Sequence, residues 1–187
     1  MGKVFDGIDE KLAAWIAAQH MFFVATAPRG DDGHVNLSPK GLDSFAILGP
    51  RSVAYLDLVG SGAETLAHLR ENGRITFMFC AFEGPAMILR LYGRGSVLQF
   101  DEPGYEEKKS ELFPEIGQAR NIVTVDIDRI ADSCGWGVPF YDFKSEREQL
   151  VRAIEHIPAE EWSPRRYKSN ALSIDGLPGL KRPKAAE

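Results

Sequence analysis

The chain has 187 residues, 44% of them hydrophobic and 26% charged, with a formal net charge of −5. These values fit one globular domain that can bury a core without disulfides or metal, and the acidic balance argues against general nucleic-acid binding or docking on an anionic membrane, which need a basic face. Two cysteines, Cys80 and Cys134, without CxxC spacing exclude a disulfide framework; with no apolar run near the roughly 18 residues of a membrane helix and no secretory pattern in the mixed opening segment, the expectation is a cytoplasmic protein.

Asp9 to Gln19 is expected to be a helix, with Leu12, Trp15 and Ile16 on one face and Asp6 or Asp9 as cap. MFFVATA (21–27) and HVNLS (34–38), separated by a Gly-Asp-Asp-Gly turn, predict a hairpin ended by Pro39. Lys40 to Arg51, with Gly41, Asp43, Gly49 and Pro50, reads as loop with room for one short turn of strand. SVAYLDLV (52–59) predicts a strand broken by Gly60-Ser61-Gly62, and Ala63 to Glu71 a helix stopped at Asn72-Gly73. RITFMFCAF (74–82) and AMILRLYGRGSVLQF (86–100) predict long strands, the second with a bulge or bend at Gly93 and Gly95. An acidic helix over 101–118 and a last strand over 121–134 follow. Gly135 to Phe143 is irregular and aromatic, and Lys144 to Ile157 is expected to be a helix with Leu150, Ile154 and Ile157 on one face. From Pro158 the chain is polar and aperiodic. The fold expectation is therefore mainly β with peripheral helices: a six-stranded antiparallel barrel over 1–157 and a C-terminal tail over 158–187 that packs on the domain or on a partner subunit. Strands that are not separated by regular helices argue against a parallel α/β sheet.

Three segments can carry chemistry. In HVNLSPKG (34–41), Lys40 at a strand end can present a point charge to a phosphate; it reads equally as a solvated loop lysine. In YLDLVGSGAET (55–65) a strand passes through Gly-Ser-Gly into a helix, whose first N–H groups form an anion site that Ser61 and Thr65 can extend. The competing reading is structural: Ser61 as N-cap, with Glu64 completing a capping box. In SCGWGVPFY (133–141), Trp136 between two glycines can stack on a planar ring or pack as a lid or interface patch. The four histidines have no metal-ligand spacing. Neither a GxSxG elbow nor a dinucleotide fingerprint is present.

The order of these segments (FFVATA, HVNLSPKGLD, VAYLDLVGSGAETLAHLRENGRITFMF, ILRLYGRGSV, then SCGWGVP and KSNALSIDGLPGL) resembles the pyridoxamine 5'-phosphate oxidase-like, FMN-binding split-barrel family. The resemblance covers roughly residues 8–143 and is closest to a branch carrying SPKG, GSGxET and SCGxGVP. It implies a homodimer with FMN at the subunit interface. The phosphate would be held by Lys40 and by Ser61, Gly62 and Thr65. Asn36, Leu37 and Ser38 would run along the flavin ring, Tyr55 and Asp57 would lie on a strand lining it, and Trp136 and Asn170 would reach it from the partner. Two departures stand out. Glu64-Thr65 occupies the place of the Arg-Lys pair that the oxidases use for the phosphate. The C-terminal segment RRYKSNALSIDGLPG does not match their substrate Arg and His, so vitamin B6 oxidation is not expected. The functional expectation is an FMN-dependent oxidoreductase acting on a small molecule, with NAD(P)H as a candidate donor. The alternatives are a non-catalytic flavin carrier or redox sensor, or a deazaflavin or haem binder; for haem, only His34 is within reach of the expected pocket.

Overall fold

The computed structural model describes residues 2–60 and 62–182, without the side chains of 154, 155, 159 and 160. A short strand β1 (Val4–Phe5) leads into helix α1 (Glu10–Ala17), which Asp9 caps by accepting from the Leu12 N–H at 2.8 Å. Leu12 and Ile16 are its buried stripe, as the spacing predicts. The hairpin follows as β2 (Phe22–Thr26) and β3 (Asn36–Lys40). β3 runs two residues further than expected and contains Pro39. A proline that donates no hydrogen bond is tolerated because β3 is an edge strand, paired only with β2.

Residues expected to be loop instead form β4 (Phe45–Gly49), which pairs with β5 (Ser52–Leu58) across a two-residue turn. Pro50 and Arg51 make that turn, directly after Gly49, so the glycine and proline that suggested a loop mark a tight hairpin instead. Helix α2 (Glu64–Asn72) ends on Gly73, which holds a left-handed φ of 73° and donates to the Leu69 carbonyl. The long strands β6 (Arg74–Cys80), β7 (Ile88–Gln99) and β8 (Ala119–Ser133) surround helix α3 (Tyr105–Leu112). The predicted irregularity in β7 is a register shift at Tyr92/Gly93. A Cβ on Gly93 would lie 2.2 Å from the Asp126 carbonyl oxygen, so only glycine fits there.

Two C-terminal elements differ from expectation. Residues 144–148 have no regular secondary structure, and α4 covers only Gln149–Glu155. The preceding segment is tied to the β6–β7 turn through Tyr141 N–H to the Phe82 carbonyl and Phe143 N–H to Glu83 Oε1. The segment expected to be aperiodic forms α5 (Ala159–Asn170). Its buried face is Trp162, Arg166, Tyr167 and Asn170, a stripe half made of polar residues and therefore invisible to a hydrophobic pattern.

All eight strands join one antiparallel sheet in the order β3-β2-β6-β7-β8-β5-β4, with β1 beside the C-terminal half of β8. The expected count of six is therefore corrected to eight: β1 is only two residues long and β4 lies in the presumed loop. The sheet curls around an aromatic and aliphatic core that includes Phe22, Val24, Tyr55, Phe77, Phe79, Leu91 and Ile130. It is not closed. Its two edges, β3 and β4, are consecutive in sequence and are joined by the four-residue turn Gly41–Ser44. Leu42 and Asp43 in that turn hold left-handed φ values of 60° and 50°. Each such residue is strained at a cost of roughly 1 kcal/mol or more. No helix among the described residues is long and apolar enough to cross a membrane.

Candidate functional site

The site is built where β5 runs into α2, beside the end of β3 and the start of β8. Asp57, the penultimate residue of β5, is almost fully buried and is the hub of the cluster. Arg120 Nε donates to its Oδ2 at 2.7 Å and Arg120 Nη2 to Oδ1 at 3.3 Å. Asn121 Nδ2 donates to Oδ2 at 3.2 Å, and Lys40 Nζ donates to Oδ1 at 3.2 Å. Burial alone would raise the Asp57 pKa, but the charges of Arg120 and Lys40 outweigh it and hold the carboxyl well below the usual carboxylate range. Burial likewise disfavours the charged Arg120, and the Asp57 carboxylate outweighs it, so the guanidinium is more firmly protonated than usual.

Arg120 reaches Asp57 because the strands slip. Asp57 opposes Asn121 while Leu58 opposes Ala119, which leaves Arg120 as the extra residue of a bulge. Its free arm, Nη1, donates to the carbonyls of Gly62 at 2.7 Å and Gly60 at 3.2 Å and to Asn170 Oδ1 at 2.5 Å. The guanidinium therefore lies beneath the loop that opens α2 and fixes two of its carbonyls inward. Gly62 has φ 94°, and a Cβ there would come within 2.6 Å of Glu64 Oε2.

The expected capping box is not formed. The residue preceding α2 is Ala63, with no side-chain cap, and the Glu64 carboxylate is turned toward the C-terminal segment, accepting from the Ile174 N–H at 3.2 Å. Among the described residues, no side chain caps the first N–H groups of α2. Ser61, expected to contribute here, lies outside the described residues.

A second polar chain runs along β3 into α2. Ser38 Oγ donates to Asn36 Oδ1 at 3.0 Å, and Asn36 Nδ2 donates to Thr65 Oγ1 at 2.9 Å and Thr26 Oγ1 at 3.3 Å. Thr26 Oγ1 is 3.0 Å from Nδ1 of the buried His68. Asn36, Ser38 and Lys40 share one face of β3, while Leu37 points away and is exposed.

The expected residues therefore divide. Asn36, Ser38, Lys40, Asp57, Gly62, Thr65 and Asn170 belong to two connected networks around the start of α2. Asn170 joins through Arg120 of its own chain. Tyr55 sits in the barrel core, its ring edge-on to Phe22 and Phe77, with Lys40 Nζ 5.9 Å from the ring centre. Burial first, and then the charge of Asp57, push its pKa well up; its side chain faces the core and has no open surface. Trp136 is 86% exposed, and no hydrogen bond or aromatic contact described here joins it to the networks. The residues missed are Arg120 and Asn121. Their signal is the pair of polar side chains in ARNIVTV, at the boundary of the expected strand. Among the described residues no group of three or more His, Cys, Asp or Glu could hold a metal ion.

Comparison with known proteins agrees with this architecture. The family model described as pyridoxamine 5'-phosphate oxidase matches residues 8–134. The pyridoxamine 5'-phosphate oxidase family protein ustO of Aspergillus flavus is 40% identical over 194 residues, spanning 94% of this chain and 77% of that protein. Among solved structures, HupZ of Group A Streptococcus superposes with a TM-score of 0.55 at 20% identity, over 72% of this chain and 99% of that one, a likeness of fold. The chain is a member of the pyridoxamine 5'-phosphate oxidase family.

Proposed function

We propose that the protein binds FMN at the start of α2 and is a flavin-dependent oxidoreductase of a small molecule, working as a homodimer with the cofactor at the subunit interface. The observation that carries the reading is the Arg120 clamp. One buried guanidinium holds the Gly60 and Gly62 carbonyls beneath an uncapped helix start, with Lys40 alongside. Two cations share one carboxylate, so the cluster of Lys40, Arg120 and Asp57 carries one net positive charge. A helix start and a net positive charge suit a phosphate. Arg120 then supplies, from β8, the charge that Glu64-Thr65 does not supply on α2. The residues fit the group.

In this reading Lys40 contacts the phosphate with its remaining donors, and Thr65 and the helix-start N–H groups complete the cradle. Asn36, Leu37 and Ser38 run beside the ring, and Trp136 of the second subunit covers it. FMN, when bound, supplies hydride-accepting chemistry; the chain supplies binding, orientation and exclusion of water. The exposed Trp136 and Phe140, with Val35 and Leu37 at the β3 edge, offer apolar surface of the kind that marks subunit contacts. A flavin carrier without turnover is the second reading. It is favoured by the mutual pairing of Asp57 and Lys40, which leaves neither placed to exchange a proton.

The test is an absorbance spectrum of the purified protein after addition of FMN and desalting. Retained oxidised-flavin bands near roughly 375 and 450 nm support the cofactor. NAD(P)H oxidation by the loaded protein then separates enzyme from carrier, and a protein that retains no flavin overturns the reading.

A further inference from the structure

The split in the barrel opens a second concave surface, on the opposite end of β3 from Asn36. It is a cleft of about 540 Å³ between the end of α1, the strained turn after β3, the β6–β7 turn and the segment before α4. Of the residues in the candidate site it touches only Lys40. A further hollow of about 260 Å³ shares Gln19, His20 and Gly41 with it and reaches the core rings of Phe22, Phe45 and Phe79. Small-molecule sites have volumes of roughly 300–1,000 Å³ and mostly apolar walls with a few polar groups.

Its walls are Met21, Pro39, Leu42, Phe82, Tyr141 and Phe143. Two aromatic pairs face into it. His20 and Phe143 stack with centroids 3.6 Å apart and planes 11° from parallel, and Phe82 lies 5.5 Å from Tyr141. Flat rings held in this way present flat faces to a planar guest. The charges on the rim balance, with Lys40, Lys144 and Arg147 against Glu83, Asp142 and Glu146. Lys40 is already paired with Asp57, and Glu83 accepts from the Phe143 N–H. The rim as a whole therefore carries no net charge to favour an anion or a cation. One wall includes Leu42, one of the two non-glycine residues held at left-handed φ among those described, and such strain concentrates at binding sites.

We propose that this cleft is a binding site for an uncharged, planar aromatic molecule. That the molecule is the second reactant of a flavin reaction rests on the proposed function; that the cleft binds it does not.

The experiment uses N-phenyl-1-naphthylamine, a neutral probe whose fluorescence rises in apolar surroundings, on the full chain. Ala18 is exposed at the end of α1 and lines the cleft, so Ala18→Trp fills it without entering the core. The expected result is saturable binding that weakens at least tenfold in Ala18→Trp and several-fold in Phe143→Ala. Leu172→Ser, which alters an exposed apolar residue elsewhere, should bind the probe as the unaltered chain does. The anionic analogue 1-anilinonaphthalene-8-sulfonate should bind at least tenfold more weakly than the neutral probe. Unchanged probe binding in Ala18→Trp overturns the site, and equal affinity for the anionic analogue overturns the ligand class. FMN retention is measured on the same samples. Loss of flavin binding with this variant pattern intact removes the cofactor reading alone, and the reverse removes the cleft alone.

Discussion

Asp57 and Arg120 meet at a register slip between β5 and β8, with Nε 2.7 Å from Oδ2 and Nη2 3.3 Å from Oδ1, both side chains almost wholly out of solvent. A buried pair of this kind adds little net stability while intact, but removing one partner leaves a buried charge uncompensated.

Asp57→Asn should therefore destabilise the fold by about 3–5 kcal/mol in denaturant unfolding at neutral pH. The folded pKa of Asp57 lies below the unfolded value of roughly 3.9. Its contribution is complete above that value and is lost as pH falls through the lower folded one. The gap between the two proteins should stay constant from pH 7 to about 5 and narrow below pH 4. A gap that does not change down to pH 2 would contradict an ionised Asp57 in the folded state.

Lys40→Ala leaves the Asp57–Arg120 pair in place, so the fold should tolerate it. In the proposed site it removes a charge-assisted phosphate contact, so FMN affinity, read by quenching of flavin fluorescence, should fall more than tenfold. Unchanged affinity would take Lys40 out of the site.

His68 is buried and neutral: burial lowers its pKa, only partly offset by the negative charges of Asp175, Glu64 and Glu71. A lowered folded value means that the unfolded chain binds the proton first. Stability should thus be flat above roughly pH 6.5 and fall below it, with a slope of up to about 1.4 kcal/mol per pH unit from this residue. His68→Gln should remove that share of the slope between pH 6.5 and 5. Identical slopes in the two proteins would show that burial does not lower the His68 pKa in the folded state.

Trp136 and Phe140 are 86% and 78% exposed. If the dimer uses them, Trp136→Ser with Phe140→Ser should weaken it at least tenfold by sedimentation or light scattering, and flavin retention should fall with it. An unaltered chain that is monomeric and still holds FMN would contradict the shared pocket.

Much of the fold is legible in the sequence where one physical signal dominates. Leu12 and Ile16 reveal α1, the alternation in SVAYLDLV reveals β5, and Asn72-Gly73 marks the end of α2. Legibility fails where two signals compete. Pro39 reads as a stop because its edge position, which makes it harmless, is a property of the sheet. Gly49-Pro50 reads as loop although it is the end of a strand entering a hairpin turn. Arg166 and Asn170 dilute the apolar stripe of α5. At the site, Lys40 and Thr65 are marked by their place beside a glycine-rich turn. Arg120 is not, because its role depends on a bulge that no local pattern encodes.

The position of β8 has a consequence for how the chain assembles. It pairs with β7 along most of its length and with both β5 and β1 on its other side, yet it is the last strand in sequence. Until residue 133 has left the ribosome, the β4–β5 hairpin and the β3-β2-β6-β7 sheet have no backbone ladder between them. Pairings this distant in sequence form late and slowly, and an unfinished chain exposes the β5 and β7 edges meanwhile. A chain truncated before β8 should therefore aggregate rather than fold in part.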